Sequence, residues 1–368
     1  MSKLIIDSTG FEHGKSYGYE TFLLNLLDYF SEKRNDLKYS EVIIACDENQ
    51  TEYFQRFSGM EVYGLNCKGI RKKIIQQNLL WKTFHVDKKD VILFPGNYSA
   101  LTKHCHHVLV IHDLLFQRKK LLGPGKTAFY WQRKIFIPRS IKLADKVIAI
   151  SNWVKDDIIS YYPKQSKNKT EAIYSYFDFN KYGNNPSDEI EKLAQNKYFL
   201  VVSADYPHKN IATIINAFSV FAKSHSEYKL IIIGNMSDER KALISSLSKD
   251  IKDRILILKG ISDDDLGLLY RNSKAFISAT EFEGLGMPLV EAMYLGTKVI
   301  SSNLEVAREV TMDKAIYFNP KDDKQLLNIM DNLDNYEMPI NQKDIIEKRY
   351  CGENTSGKYI ELLNSFIV

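Results

Sequence analysis

The residues best suited to chemistry lie in one short stretch, EFEGLGMPLVEAM, at positions 281–293. Two glutamates, Glu283 and Glu291, stand eight positions apart, with Gly284 and Gly286 between them. Glycines allow the backbone to approach a ligand closely. A helix that begins after them would present unpaired N–H groups and a partial positive charge. This combination is typical of a site for a phosphate or a diphosphate.

The two glutamates extend that site toward hydroxyl groups. We place Glu291 in the first turn of the helix, where its carboxylate could bind the vicinal hydroxyls of a ribose. Glu283 follows a strand and could bind hydroxyls of a second sugar. A diphosphate between two such polyols describes a nucleotide-sugar. The alternative is that Glu291 only complements the helix dipole and the glycines only turn the chain, and the residues alone leave both interpretations open.

The corner requires a strand before it and a helix after it. KAFISAT predicts the strand and PLVEAMYL the helix, with Pro288 suited to the first helical position and Gly296 to the stop. Similar apolar, β-branched runs recur along the chain and alternate with segments of helical periodicity. This alternation predicts parallel sheets that are covered on both faces. The predicted strands are KLIIDS, EVIIAC, DVILFPG, HHVLVIHD, DKVIAIS, KYFLVVSAD, YKLIIIGN, RILILKG, KAFISAT and TKVISSN.

The length and composition indicate two α/β domains. The chain has 368 residues, a net charge of +4 and 44% hydrophobic residues, which is ordinary for globular proteins and gives no polyanion-binding signal. The polar stretch KYGNNPSDEIEKLAQNK at 181–197 predicts a linker between two doubly wound domains. Four scattered cysteines without a CxxC motif favour reduced, cytosolic thiols. We expect no signal peptide and no membrane span, and hence a soluble protein or one on a membrane surface.

The stretch EFEGLGMPLVEAMYLGTKVISSN closely resembles the Glu-x7-Glu signature of the retaining glycosyltransferase family 4, which has the GT-B fold. ISDDDLGLLYRNSKAFISAT and YFLVVSADYPHKNIATIINAF resemble the same family's C-terminal domain. The resemblance implies two Rossmann-like α/β domains facing across a cleft. An acceptor-binding domain would span 1–185, a nucleotide-sugar-binding domain 186–345, and a helix in 346–368 would pack back on the first domain.

The resemblance also implies roles for residues of the corner and of the stretch PHKN. Glu283 would contact the donor sugar and Glu291 the ribose, while Lys209 would neutralise the diphosphate. An arginine often found just before that lysine is absent here, since Ser203 stands in VVSAD, and a protonated His208 is a candidate replacement. The other donor-binding residues implied are Asn210, Gly284, Leu285, Gly286 and Met287.

Two further residues of the N-terminal half match the family. His112, which begins HDLL after a strand, matches a histidine that contacts the sugar near its reacting carbon. Gly18, which precedes Tyr19 and a helix, matches a glycine that lets a loop approach the donor. The alternative for His112 is a structural histidine at a strand end, and the family's paired glycines are not clearly present at Gly18.

The implied reaction is a transfer with retention. No carboxylate pair for a double displacement is evident. The resemblance implies that the acceptor hydroxyl attacks on the face that the diphosphate leaves and that the departing phosphate takes the proton. We expect no bound metal and no cofactor, with the nucleotide-sugar as co-substrate. GDP-mannose is favoured because HDL and PHKN resemble mannosyltransferase members, while UDP-hexoses and dTDP-rhamnose stay open.

Other motifs support competing interpretations. Gly14-Lys15-Ser16 imitates the end of a P-loop and would indicate an ATP hydrolase or kinase, but Thr9 stands where the first P-loop glycine belongs. The missing arginine would fit a non-catalytic sugar-nucleotide-binding protein. The aspartates at 263–265 imitate a metal-binding motif but better predict a helix start. The HCHH run at 104–107 imitates a metal site, although strand alternation would separate its side chains.

Residues 117–146 hold nine Lys or Arg and one acid, with aromatic residues interleaved. Such a segment suits an anionic membrane surface, although a solvated basic face is the simpler alternative. Basic and aromatic residues together would also suit nucleic acid, but nothing else in the sequence indicates that partner. The membrane interpretation implies a lipid-linked saccharide acceptor at the cytoplasmic face of the membrane, as in bacterial O-antigen or capsule synthesis.

Overall fold

The computed structural model describes residues 2–14, 17–67, 70–123, 125–337 and 341–367. The chain forms two compact units. The first comprises Met1–Gln117, Pro124–Phe177 and Arg349–Val368, and the second comprises Arg118–Gly123 and Asp178–Lys348. Sequence reasoning placed the changes of domain at 185 and 345, whereas the units change at 177 and 348.

The first unit is built on a parallel sheet. Within the described residues this sheet has seven strands in the order β3-β2-β1-β4-β5-β6-β7. Its strands and helices, in chain order, are β1 Lys3–Ser8, α1 Tyr17–Glu32, β2 Glu41–Asp47, α2 Thr51–Phe54, β3 Glu61–Leu65, α3 Ile70–Thr83, β4 Val91–Phe94, β5 His106–Ile111, α4 Thr127–Leu143, β6 Lys146–Ala149, α5 Asn152–Tyr161, α6 Pro163–Ser166 and β7 Thr170–Ala172.

The second unit repeats this plan. Its described residues form a six-stranded parallel sheet in the order β10-β9-β8-β11-β12-β13. Its elements are α7 Asp188–Ala194, β8 Lys197–Val202, α8 Ile211–Phe221, β9 Tyr228–Ile233, α9 Asp238–Ser245, α10 Lys249–Lys252, β10 Ile255–Leu258, α11 Asp263–Asn272, β11 Ala275–Ser278, α12 Met287–Tyr294, β12 Val299–Ser302, α13 Glu305–Thr311, β13 Ile316–Phe318, α14 Asp323–Asp331 and α15 Gln342–Tyr350. The last helix, α16 Ser356–Asn364, belongs to the first unit.

The apolar runs became strands because helices cover both faces of each sheet. In β5, the residues from Val108 to Ile111 are fully buried, as are those from Leu230 to Ile232 in β9. The prediction of two parallel α/β sheets is confirmed. The strands β3, β7 and β13 were not predicted. Each is a short edge strand of three to five residues, and β3 and β7 have no continuous apolar run, so their pattern is weak.

The stretch predicted as a linker is ordered structure of the second unit. It includes α7, and the residues before α7 are bound to α11. The backbone N–H and the hydroxyl of Ser187 donate to Asp265 at 2.7 and 3.0 Å. Arg271 donates to the carbonyl of Gly183 at 3.0 Å. The expected helix start at the triple aspartate is confirmed, since α11 begins at Asp263 and Ser262 accepts from the N–H of Asp265.

The C-terminal helix α16 lies against the first sheet's helices. Tyr39 donates from its hydroxyl to the carbonyl of Leu363 at 2.5 Å. Asn364 donates to the carbonyl of Asp36 at 2.7 Å. The Tyr359 ring is fully buried and lies 6.1 Å from that of Phe22 in α1. Among the described helices, none is long and apolar enough to cross a membrane.

Candidate active site

The candidate donor site lies where the strand order of the second sheet reverses. Strands β8 and β11 are neighbours, although they are the first and fourth strands of that unit. Their following segments run to opposite sides, and in sheets of this kind the resulting crevice binds ligands. Lys209 follows β8 and Glu283 follows β11, and their side chains form an ion pair. Only 22% of the lysine and 18% of the glutamate side chain is exposed.

Lys209 is fixed by a short helical turn that is bound to the glycine corner. Pro207–Lys209 form a 3-10 turn, and Asn210 follows in the left-handed conformation with φ of 50°. The Asn210 side chain donates to the carbonyl of Pro320 at 2.6 Å. The carbonyl of His208 accepts from the N–H of Glu281 at 2.7 Å. The loops after β8 and β11 therefore hold each other, which positions the lysine.

The glycine corner has the predicted strand–turn–helix form. Gly286 has φ of +86° and ψ of 56°, and α12 begins at the next residue, Met287. A Cβ on Gly286 would meet the Leu289 side chain at 3.0 Å. Leu285 is buried, whereas Gly284 and Met287 are partly exposed. The first N–H groups of α12 thus lie beside a close-approach glycine, as a diphosphate requires.

Two details of the corner differ from expectation. Pro288 occupies the second helical position rather than the first. Glu291 is the fifth residue of α12, so its placement in the first turn was wrong. The helix begins at Met287, after the left-handed Gly286 and one residue before the predicted start at Pro288, so Glu291 lies beyond the first turn, where the dipole acts. A role limited to complementing the helix dipole is therefore poorly supported.

Glu291 is instead held by side chains that sequence reasoning missed. It is 6% exposed, and its Oε2 accepts from the Tyr270 hydroxyl at 3.2 Å. Its Oε1 lies 3.4 Å from Nζ of Lys181, which is 110 positions away in sequence. Burial, reinforced by the Glu291 carboxylate, raises the pKa of Tyr270 and Tyr182 well above the usual value. Both phenols therefore stay protonated at neutral pH. Only the position of Lys181, at the start of the polar 181–197 stretch, marked it in the sequence.

The other members of the predicted donor set have defined surroundings. The His208 ring lies parallel to that of Tyr206, with centroids 5.8 Å apart. Ser203, which stands in place of the family arginine, donates to the carbonyl of Ala204 at 3.0 Å. Arg240 of α9 lies near this loop, but its guanidinium pairs with Asp205, which follows β8, at 3.3 Å.

In the first unit, His112 follows β5 and is held from two sides. The backbone N–H of His112 donates to the side-chain oxygen of Asn97 at 2.7 Å, and the ring nitrogen Nε2 lies 2.7 Å from the carbonyl of Pro95. The rings of Tyr19 and Phe22 meet the imidazole edge-on at 5.8 and 4.8 Å. Burial lowers the pKa of His112, and the bond to Pro95 opposes that shift. A neutral imidazole that donates from Nε2 leaves Nδ1 as an acceptor.

The loop before α1 bears on Gly18 and on the P-loop alternative. Gly18 is exposed in the first turn of α1, and nothing lies within 4 Å of the position that a Cβ would take. Gly14 has φ of +76° and donates its N–H to Glu20 at 2.9 Å. Lys15 and Ser16, on which the P-loop interpretation rests, lie outside the described residues.

The HCHH side chains are used for packing. His104 stacks on Trp81 at 3.9 Å, and the His106 ring lies 4.8 Å from Phe366. His107 is buried beside Phe94, and this burial lowers its pKa to about 4. Across the described ranges there is no group of three or more His, Cys, Asp or Glu residues placed to hold a metal ion.

The basic segment 117–146 is divided between the units, because Arg118–Gly123 belong to the second and α4 to the first. Tyr130 and Ile137 of α4 are buried. Trp131 and Ile135 are 54% and 61% exposed, one helical turn apart.

Comparison with known proteins identifies the family. Residues 185–350, which include the whole donor corner, match the family model "Glycosyl transferases group 1". The O-antigen chain mannosyltransferase RfbU of Salmonella typhimurium is 32% identical over 321 residues, covering 84% of this chain and 87% of RfbU.

Solved structures show the same architecture. Sucrose-phosphate synthase from Thermosynechococcus elongatus superposes with a TM-score of 0.78 at 13% identity, covering 99% of both chains. Anabaena HepE in complex with UDP-glucose gives 0.72 at 19% identity, covering 99% of this chain and 100% of HepE. These likenesses establish the GT-B fold of two Rossmann-like domains. The match to RfbU and the match to the family model show that the chain belongs to the group 1 family of glycosyltransferases.

Proposed function

We propose that this protein is a retaining, metal-independent member of glycosyltransferase family 4 that transfers mannose from GDP-mannose to a saccharide acceptor. The acceptor is lipid-linked, and the product is a bacterial surface glycan of the O-antigen or capsule type. The observation that carries the proposal is the ion pair of Lys209 with Glu283 beside the glycine corner at the switch point of the second sheet. The name of RfbU supports mannose and O-antigen, and the UDP-glucose complex of HepE supports a nucleotide-sugar as donor class.

The donor would bind across the corner. The first N–H groups of α12 and the Lys209 ammonium would hold the diphosphate, Glu283 the hydroxyls of the sugar, and Glu291 those of the ribose. Negative charge grows on the diphosphate as the glycosidic bond breaks, so preorganised donors there stabilise the transition state more than the ground state. The departing phosphate takes the proton from the acceptor hydroxyl.

Glu283 would position the sugar and would not attack it. Its carboxylate is engaged by Lys209 in the free protein, which favours a charge-balanced, hydrogen-bonding role over nucleophilic attack. His112 would offer its Nδ1 as a hydrogen-bond acceptor, since its Nε2 is engaged by Pro95. Gly18 would leave room beside the first turn of α1.

The decisive experiment is a transfer assay with GDP-mannose and a lipid-linked saccharide, with and without EDTA. The product should carry mannose with the anomeric configuration of the donor, as read by NMR, and EDTA should have no effect. UDP-glucose and dTDP-rhamnose serve as competing donors. Glu283→Gln should lose most of the activity, while the matched control Glu227→Gln, in an exposed pair with Lys197, should keep it.

Three outcomes would contradict the proposal. Inverted product would refute retention. Donor binding without transfer would indicate a nucleotide-sugar-binding protein. Turnover of Mg-ATP that is lost in Lys15→Ala, without any transfer, would favour the P-loop hydrolase or kinase.

We further propose that α4 contacts the cytoplasmic face of the membrane, which makes the protein a cytoplasmic, peripheral one. Trp131 and Ile135 form an exposed apolar face, and Lys134, Arg139 and Lys142 are exposed on the same helix. Apolar insertion combined with basic flanks is the pattern of interfacial helices, and each cation near an anionic surface contributes about 1 kcal/mol.

Vesicle co-sedimentation tests this contact. The protein should bind vesicles with about 30% phosphatidylglycerol and should not bind vesicles of pure phosphatidylcholine. Added salt should weaken the binding. Trp131→Glu should lower the partition coefficient about tenfold. Val220→Glu, at a 47% exposed position of the second unit, should not change it. Equal loss in both variants, or no binding to anionic vesicles at low salt, would refute the contact.

A further inference from the structure

Lys181 lies beside the glutamate proposed to bind the ribose. Its ammonium is 3.4 Å from Oε1 of Glu291 and 3.7 Å from Oδ1 of Asp263. It also lies 4.7 Å from the centre of the Tyr182 ring. Its side chain is 28% exposed, whereas that of Glu291 is 9% exposed. The lysine therefore balances the charge of a nearly buried carboxylate.

The backbone that carries Lys181 is fixed on both sides. Before it, Phe179 stacks on Tyr294 of α12, with centroids 3.9 Å apart and planes 13° from parallel. After it, Gly183 accepts from Arg271 of α11, and its Cα is so close to the Asp264 carboxylate that a Cβ would overlap it. Lys181 therefore lies on a segment that is held by contacts to α12, which bears Glu291, and to α11.

Both oxygens of Glu291 are oriented by different partners. The Tyr270 hydroxyl, which stays protonated, engages Oε2, and Lys181 engages Oε1. A nearly buried carboxylate without such partners would be disfavoured in its charged form or would rotate. A carboxylate held in one plane can accept two hydrogen bonds from a pair of vicinal hydroxyls with its remaining lone pairs.

We propose that Lys181 is a positioning residue that holds the Glu291 carboxylate oriented for the 2′- and 3′-hydroxyls of the donor's ribose. The inference rests on the proposed function of Glu291. It assigns part of the discrimination between ribose and 2′-deoxyribose to a residue outside the glycine corner.

The test compares dissociation constants for GDP and 2′-deoxy-GDP, with UDP and 2′-deoxy-UDP in parallel, by titration calorimetry. The variants are Lys181→Met, Lys181→Arg, Glu291→Gln and the matched control Lys197→Met, which breaks an exposed pair of the same 3.4 Å length. The wild type should prefer the ribonucleotide at least about tenfold, since a hydrogen bond to a charged group is lost in the deoxy form. Lys181→Met should reduce that preference to about twofold, as Glu291→Gln does, while Lys181→Arg and Lys197→Met retain it.

The outcomes separate the two levels of the argument. If Glu291→Gln abolishes the preference and a folded Lys181→Met keeps it, the role of Lys181 is refuted and that of Glu291 stands. If Lys181→Met binds the ribonucleotide more tightly, the lysine competes with the ribose, and the inference is overturned. If Glu291→Gln keeps the preference, or the wild type binds neither ribonucleotide, the proposed donor site fails and the inference fails with it. Melting temperatures of the variants exclude unfolding as the cause.

Discussion

Replacing Lys209 tests the proposed chemistry most directly. In the free protein its ammonium pairs with Glu283, and both side chains are about one-fifth exposed. In the reaction it would face the charge that develops on the departing diphosphate. Lys209→Met should therefore lower the rate of transfer, while Lys209→Arg retains the charge and part of the rate.

The size of the effect follows from two opposing contributions. Removing one preorganised donor to a developing negative charge costs about 3 kcal/mol in the transition state. The ground-state pair with Glu283, which is partly screened by solvent, offsets about 1 kcal/mol of this. The net loss of about 2 kcal/mol corresponds to a decrease in kcat/KM of about 30-fold.

The assay is mannosyl transfer at several donor concentrations, with Lys274→Met as control. Lys274 pairs with Asp334 on the same unit but follows α11, away from the glycine corner, so its removal should change kcat/KM less than twofold. Because Lys209 and Glu283 are paired with each other, the double variant Lys209→Met/Glu283→Gln should lose less transition-state stabilisation than the sum of the losses in the two single variants. A folded Lys209→Met protein with kcat/KM within threefold of the wild type would refute the reasoning.

Two further predictions concern stability. Gly286→Ala should destabilise the protein by about 1–2 kcal/mol in urea unfolding and weaken the binding of GDP, because the φ of Gly286 is +86° and a Cβ would press on Leu289. The control is Gly296→Ala, where φ is +79° but the space around the Cβ position is open. It should cost less stability and leave the binding of GDP unchanged. Equal binding by both variants would contradict the role of the corner. Burial lowers the pKa of His107 to about 4 from its usual 6.5. Between these pH values the unfolded chain therefore binds more protons than the folded chain. The free energy of unfolding should fall by up to about 3 kcal/mol as the pH drops from 6.5 to 4. In His107→Phe this part of the pH dependence should vanish, and an unchanged slope in chemical denaturation would show that other groups cause it.

Much of the fold was predictable because it depends on local pattern. Continuous apolar runs identified the ten predicted strands, and the triple aspartate predicted the start of α11. Edge strands such as β3 were missed because one-sided pairing does not demand an apolar run. The register of the α12 start was missed because it depends on the left-handed conformation of Gly286, which a glycine permits but does not require.

The sequence by itself determined which chemical groups follow which strand. Glu283 was recognised from its position after a strand, the glycine corner from its spacing, and Lys209 from the resemblance of PHKN to the family. The tertiary structure decided which of these groups meet. Lys209 and Glu283 are 74 positions apart and form a pair because β8 and β11 are adjacent at the reversal of strand order. Lys181 reaches Glu291 across 110 positions because its segment is anchored to α11 and α12. Periodicity specifies which face of an element is buried, but contacts between distant segments depend on strand order and packing, which no local pattern encodes.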